Sequence, residues 1–116
     1  MAKQGKVWGE TEEIFRNGHV SVNYLQIKKG GYCSEHKHRM KSNLFFVLSG
    51  NLRVTSWMGG KMFEDEVVLG PGESTEILPG IYHKFTALTD VECIETYETA
   101  LLDPDIERRT HGGIAK

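Results

Sequence analysis

The chain reads as an all-β barrel or sandwich, and three observations predict that class. Short runs of alternating apolar and polar residues recur along most of its length, and glycine or proline punctuates nearly every gap between them. No segment carries a convincing 3.6-residue apolar period, so helices have no face with which to pack.

Taken in order, Lys6-Val7-Trp8-Gly9-Glu10 sets an aromatic in a polar start, placing Trp8 against the body of the domain or a partner subunit. Thr11 to Phe15 forms a short strand, and Asn17-Gly18 marks a hairpin because both residues tolerate positive φ. Val20, Val22 and Tyr24 alternate with Ser21 and Asn23, and the apolar phase continues through Leu25 and Ile27 to a Lys28-Lys29-Gly30-Gly31 turn. Leu44 to Leu48 is an unbroken apolar run, read as a buried strand that ends at Ser49-Gly50-Asn51. Leu52 to Trp57, Met62 to Leu69 and Ser74 to Leu78 follow, separated by Met58-Gly59-Gly60-Lys61 and Gly70-Pro71-Gly72. Glu64, Asp65 and Glu66 fall within one of these strands and read as a solvated edge rather than a chemical cluster. After Pro79-Gly80 a strand begins at Tyr82-His83-Lys84-Phe85, and Val91 to Tyr97 supplies the last, with Val91, Cys93 and Glu95 on one face. In the tail, Pro104 opens a single helical turn before a fraying Gly112-Gly113 end.

A chain of 116 residues is expected to make one domain with one core, here 1–116 with a barrel body at about 20–97. Hydrophobic residues at 39% and charged residues at 26% exclude a disordered or membrane-spanning class. No apolar run approaches a bilayer span, and Met1 to Lys6 lacks the apolar stretch of a signal peptide, so a cytoplasmic location is expected. The net charge of -2, with lysine and arginine scattered, argues against nucleic acid as a partner. Cys33 and Cys93 are too few for a disulfide framework and are read as reduced thiols.

The chemistry concentrates between Gly30 and Gly50. His36 and His38 stand two residues apart, which on a strand turns both imidazoles to one side and points to a metal. The same step also fits two polar residues on a wet face. Cys33 lies at odd spacing from His36 and faces the other way, a core residue or a neighbour of the site rather than a ligand. A third histidine, His83, opens a strand just after the Pro79-Gly80 turn. His19 and His111 have no partner at a telling spacing and read as surface residues.

These two segments resemble the paired motifs of the cupins, small jelly-roll or double-stranded β-helix barrels. The first motif is matched by Gly30, His36, His38, Asn43 and Gly50 with every spacing kept, and the second by Gly72, Leu78, Gly80, His83 and Ala87. Asn43 stands where the family has a glutamate, Pro79 is displaced by one residue, and Ala87 replaces an asparagine. The resemblance implies that His36, His38 and His83 ligate a divalent ion, with Asn43 in the fourth protein position. Imidazoles leave zinc, nickel, manganese and iron all open as the identity. Three neutral imidazoles and an amide would leave the charge of the ion uncompensated, which favours anionic ligands.

Val7-Trp8-Gly9, Ile94-Glu95-Thr96 and Leu101 to Arg108 are further similar to the cupin domain of mannose-6-phosphate isomerases fused to sugar-nucleotide pyrophosphorylases, although Tyr97 stands where that family has glutamine. This resemblance implies a sugar or sugar phosphate as substrate and isomerase or epimerase chemistry. Glu95 is then the candidate base, and Lys84 and Arg108 are candidates for holding a phosphate. A mononuclear iron dioxygenase and a noncatalytic sugar-binding or regulatory barrel are the alternatives. A homodimer is the expected assembly.

Overall fold

The computed structural model describes residues 3–58 and 63–99, so the turn after Met58, the Pro104 turn, Arg108 and His111 lie outside the described residues. The described chain is all antiparallel β, with no helix: β1 (Lys3–Lys6), β2 (Gly9–Arg16), β3 (Val20–Ile27), β4 (Lys41–Ser49), β5 (Leu52–Met58), β6 (Phe63–Leu69), β7 (Ser74–Ile77), β8 (Tyr82–Ala87) and β9 (Val91–Thr99). One six-stranded sheet runs β1-β2-β3-β9-β4-β7 and faces a three-stranded sheet, β6-β5-β8. This is the jelly-roll arrangement expected for a cupin-type barrel.

Side chains alternate inward and outward, and the inward positions change character along the barrel. On β9 they read Val91, Cys93, Glu95, Tyr97; across the register on β4 they read Val47, Phe45, Asn43; on β3 they read Ile27, Leu25, Asn23, Ser21. Each strand therefore passes from apolar to polar in the same direction. The apolar end joins Leu52, Val54, Phe85 and Ala87 in the closed core. Full burial of each large apolar side chain there contributes about 1.5–3 kcal/mol. The polar end has no such packing partner and is free to form a site.

Two strand readings are corrected. On β3 the inward phase belongs to Ser21, Leu25 and Ile27, while Val20, Val22 and Tyr24 lie half-buried on the outer face. Both phases of that strand are partly apolar, so alternation could not choose between them. The Leu44 to Leu48 run is likewise not buried throughout: Phe45 and Val47 point in, and Leu48 is 43% exposed.

Other expectations hold with altered detail. The Asn17-Gly18 hairpin forms, but neither residue takes positive φ. Instead the Asn17 Oδ1 accepts the backbone N–H groups of His19 and Val20 at 2.7 and 2.8 Å, an Asx turn. Glu64, Asp65 and Glu66 lie exposed on the edge strand β6, where Glu66 pairs with Arg53 at 3.0 Å. Trp8 packs against its own domain, edge-on to Phe85 with ring centroids 5.1 Å apart. Among the described residues no helix is long and apolar enough to cross a membrane.

Candidate metal centre

His36 and His38 do not sit on a regular strand. They belong to the connection between β3 and β4, which runs beside the free edge of β8 and fastens to it at isolated points. His36 and His83 are directly opposed and exchange both backbone hydrogen bonds, at 3.1 and 2.8 Å. Below them the Cys33 N–H bonds the Phe85 carbonyl at 3.3 Å, and Gly30 and Gly31 bond across to Ala87. The His38 carbonyl accepts the Gly80 N–H at 2.7 Å, and Gly80 holds φ at +88°, a conformation that favours glycine. The turn glycine of the second motif thus pins the second histidine of the first.

The three rings converge. Their centroids are 5.0 Å (His36–His38), 4.5 Å (His36–His83) and 5.6 Å (His38–His83) apart, and one ligand nitrogen of each lies within 4.8 Å of the others. Two of the tautomers follow from the backbone. The Nδ1 of His36 faces the Ser34 carbonyl at 2.7 Å and the Nδ1 of His83 faces the Ile81 carbonyl at 3.0 Å. A carbonyl only accepts, so each Nδ1 carries the proton and each Nε2 presents a lone pair. Burial pushes the His38 imidazole down to about 4, with His36, Lys41 and His83 adding to the shift, and burial also lowers His83. These two rings are neutral at neutral pH, the form a metal requires.

Asn43 lies on the inward face of β4, 1% exposed. Its Nδ2 donates to the Glu95 Oε2 at 2.7 Å, which directs the amide and leaves Oδ1 without a partner. The Nε2 atoms of His38 and His83 are also buried and unpartnered. Buried polar atoms left without a partner would each cost on the order of 1–3 kcal/mol, and a cation relieves that cost for the Asn43 oxygen and the unprotonated ring nitrogens. The residues present therefore fit a divalent ion.

Glu95 is buried, and burial pushes its carboxyl up to about 7, with nearby Tyr97 and the Asn43 amide that donates to it pulling the other way. The Tyr97 ring meets His38 edge-on at 5.3 Å, and burial beside Glu95 pushes the phenol upward. A cavity of about 340 Å³ opens here, with His36, Glu95, Tyr97, Phe45 and Cys33 in its wall. Cys33 stands where the sequence placed it, beside the site and outside the ligand cluster, its Sγ accepting the Phe85 N–H at 3.2 Å.

The structure brings His36, His38 and His83 together and sets Asn43 and Glu95 beside them through Tyr97. It does not bring Lys84. On β8 the inward residues are His83 and Phe85, so Lys84 points to the outer face, where its Nζ lies 5.1 Å over the Tyr32 ring. Strand alternation beside a buried histidine carried that information. Arg108 is outside the described residues. Sequence reasoning missed Tyr97, Asn23 and Lys6 as cavity residues; the inward phase of β9 carried forward two positions would have found the first.

A cupin domain family model matches residues 23–97, more than half of the chain. The chain belongs to the cupin family. Its fold is similar to that of KdgF from a Halomonas species, with a TM-score of 0.74 at 16% identity, covering 87% of this chain and 90% of that one. An RmlC-like cupin from Shewanella frigidimarina gives a TM-score of 0.72 at 22% identity, covering 85% and 84%. A single-site variant of the oxalate decarboxylase from Bacillus subtilis gives 0.75 at 16% identity and covers 84% of this cupin, which spans only 27% of that longer chain. At these identities the likeness is one of fold. No curated protein matches the cupin in sequence.

Proposed function

We propose that this cupin is a divalent-metal-dependent isomerase or epimerase that moves a proton at the carbon next to a carbonyl of a small hydroxylated substrate, a sugar or sugar phosphate. One observation carries the reading: the Glu95 carboxyl, which burial holds above the ordinary carboxylate range, shares a cavity wall with His36 and with Tyr97, the ring that packs on His38. His36, His38 and His83 hold the ion, with the free Oδ1 of Asn43 as the fourth protein ligand. When bound, such an ion stabilises negative charge as it develops on a substrate oxygen. Holding of Mn(II) by the similarly folded B. subtilis oxalate decarboxylase supports a divalent ion in this kind of barrel.

The chain's own residues do the rest. Glu95 takes the proton from carbon and returns it to the neighbouring carbon, while the hydroxyl proton passes to the former carbonyl oxygen. Asn43 and Tyr97 orient its carboxylate by hydrogen bonds. Phe45, Phe85 and Trp8 supply an apolar wall that limits water around the transfer. A homodimer fits the half-exposed apolar outer sheet face, where Phe15 is 49% and Leu48 43% exposed, and light scattering counts the copies.

The test is deuterium incorporation from D2O into aldose and aldose phosphate substrates, followed by proton NMR on protein loaded in turn with zinc, nickel, manganese and iron. Exchange at the carbon beside the carbonyl that is lost in Glu95→Gln supports the reading. Oxygen consumption requiring ferrous iron would instead establish a dioxygenase, and ligand binding without any exchange a binding barrel.

A further inference from the structure

The cavity that holds Glu95 and His36 adjoins a second, of about 310 Å³, with Gln4, Thr11, Asn23 and Tyr97 lining both. Together they make a trough from the histidines to the surface. Lys6 lines the inner part and Lys41 the outer part. The Lys41 Nζ stands 4.7 Å over the ring of Tyr97, the same ring that packs on His38. The outer part also holds Arg16 and Glu13, but those two pair with each other at 2.8 Å and cancel. Among the described residues no salt bridge engages Lys6 or Lys41. Two ammonium groups thus face the trough against the single carboxylate of Glu95.

We propose that Lys6 and Lys41 form an anion subsite that holds a carboxylate or phosphate group of the substrate where the two cavities meet at Tyr97, while its other end reaches the histidines. The inference rests on the proposed function for that inner end alone. A charge this far from the reacting atoms adds binding and orientation without taking part in the proton transfer. It takes the phosphate-holding role that the sequence suggested for Lys84, which faces away. Lys6 comes from the β1–β2 hairpin, outside the residues that the family model matches, whereas Lys41 belongs to the barrel strand β4.

Inorganic phosphate is the probe, titrated into the isotopically labelled full-length chain both zinc-loaded and after chelator treatment, with backbone amides read by NMR. Saturable shifts at Lys6, Lys41 and Tyr97 are expected in both states. The Lys6→Gln/Lys41→Gln double variant should bind phosphate roughly tenfold more weakly or worse, with unchanged melting temperature and zinc content. Lys84→Gln should bind it as the native chain does. Absence of saturable shifts, shifts confined to the zinc-loaded form and its histidines, or equal affinity in the double variant would each overturn the subsite. Phosphate binding without deuterium exchange would leave the subsite standing and remove the isomerase reading, so the two fail separately.

Discussion

The Nδ2 of Asn43 lies 2.7 Å from the Oε2 of Glu95, and that single bond sets which end of the amide is free. The carboxylate accepts and so takes the nitrogen, which leaves the oxygen unpartnered in a buried site. The family motif places a glutamate at this position; here an amide occupies it, and the carboxylate stands on the neighbouring strand β9. In the proposed function, ligand and proton carrier are thereby separated into two residues.

Removal of the amide should therefore act on both. Asn43→Ala is expected to weaken zinc binding by on the order of tenfold or more, measured by competition with a chromophoric chelator. It should also raise the proton affinity of Glu95, which loses a donor. Unchanged zinc affinity would show that Asn43 is not a ligand.

The pH dependence of stability has two opposed parts. His38 is lowered from 6.5 to about 4, so between those values the unfolded chain binds more protons and stability rises with pH. Glu95 is raised from 4.5 to about 7, so between those values the folded chain binds more protons and stability falls as pH rises. The native metal-free protein should show a shallow profile because the two overlap. In Glu95→Gln the melting temperature should climb from about pH 4 to 6.5, and in His38→Gln, where lowered His83 still opposes Glu95, it should climb less than in the native chain over that range. Identical profiles for the two variants would contradict the assignment.

Catalysis should follow the ionised form of Glu95. The rate of deuterium exchange is expected to rise through about pH 7 and level off, and Glu95→Gln should lower it by about 10²–10⁴-fold while zinc content stays unchanged.

Burial pushes the Cys33 thiol up to about 11 and Cys93 up to about 12. At pH 8 roughly one Cys33 in a thousand is thiolate, so the folded protein should react with iodoacetamide far more slowly than the urea-unfolded chain. Mass spectrometry of the two time courses checks this, and equal rates would contradict it.

Gly50 ends the first motif with φ at +84°, and a Cβ added there would lie 2.0 Å from the Asp90 carbonyl oxygen. Gly50→Ala should cost at least about 2 kcal/mol, read as a lowered denaturation midpoint, since strain and clash both act. Gly72 has the same φ but open space, and Gly72→Ala should cost less.

Much of this protein was legible in its residues. The alternating runs and the turn glycines sufficed for an all-β class and for most strand positions, because a two-residue period and positive φ are local properties. The spacing of His36, His38 and His83 against their glycines pointed to the cluster that the fold assembles. Local pattern failed where two answers satisfied it equally. Both phases of β3 are partly apolar, and only packing against β9 turned Leu25 and Ile27 inward.

The sequence by itself determined most of the strand pattern, the turns and the three histidines that the fold brings together. Tertiary structure alone decided that Asn43 presents its oxygen, that Glu95 lies buried beside the histidines, and that Lys6 reaches the same cavity. The reason is physical: ligand type and spacing are carried by neighbours along the chain, whereas burial, hydrogen-bond direction and local charge arise between strands distant in sequence and exist only once the barrel closes.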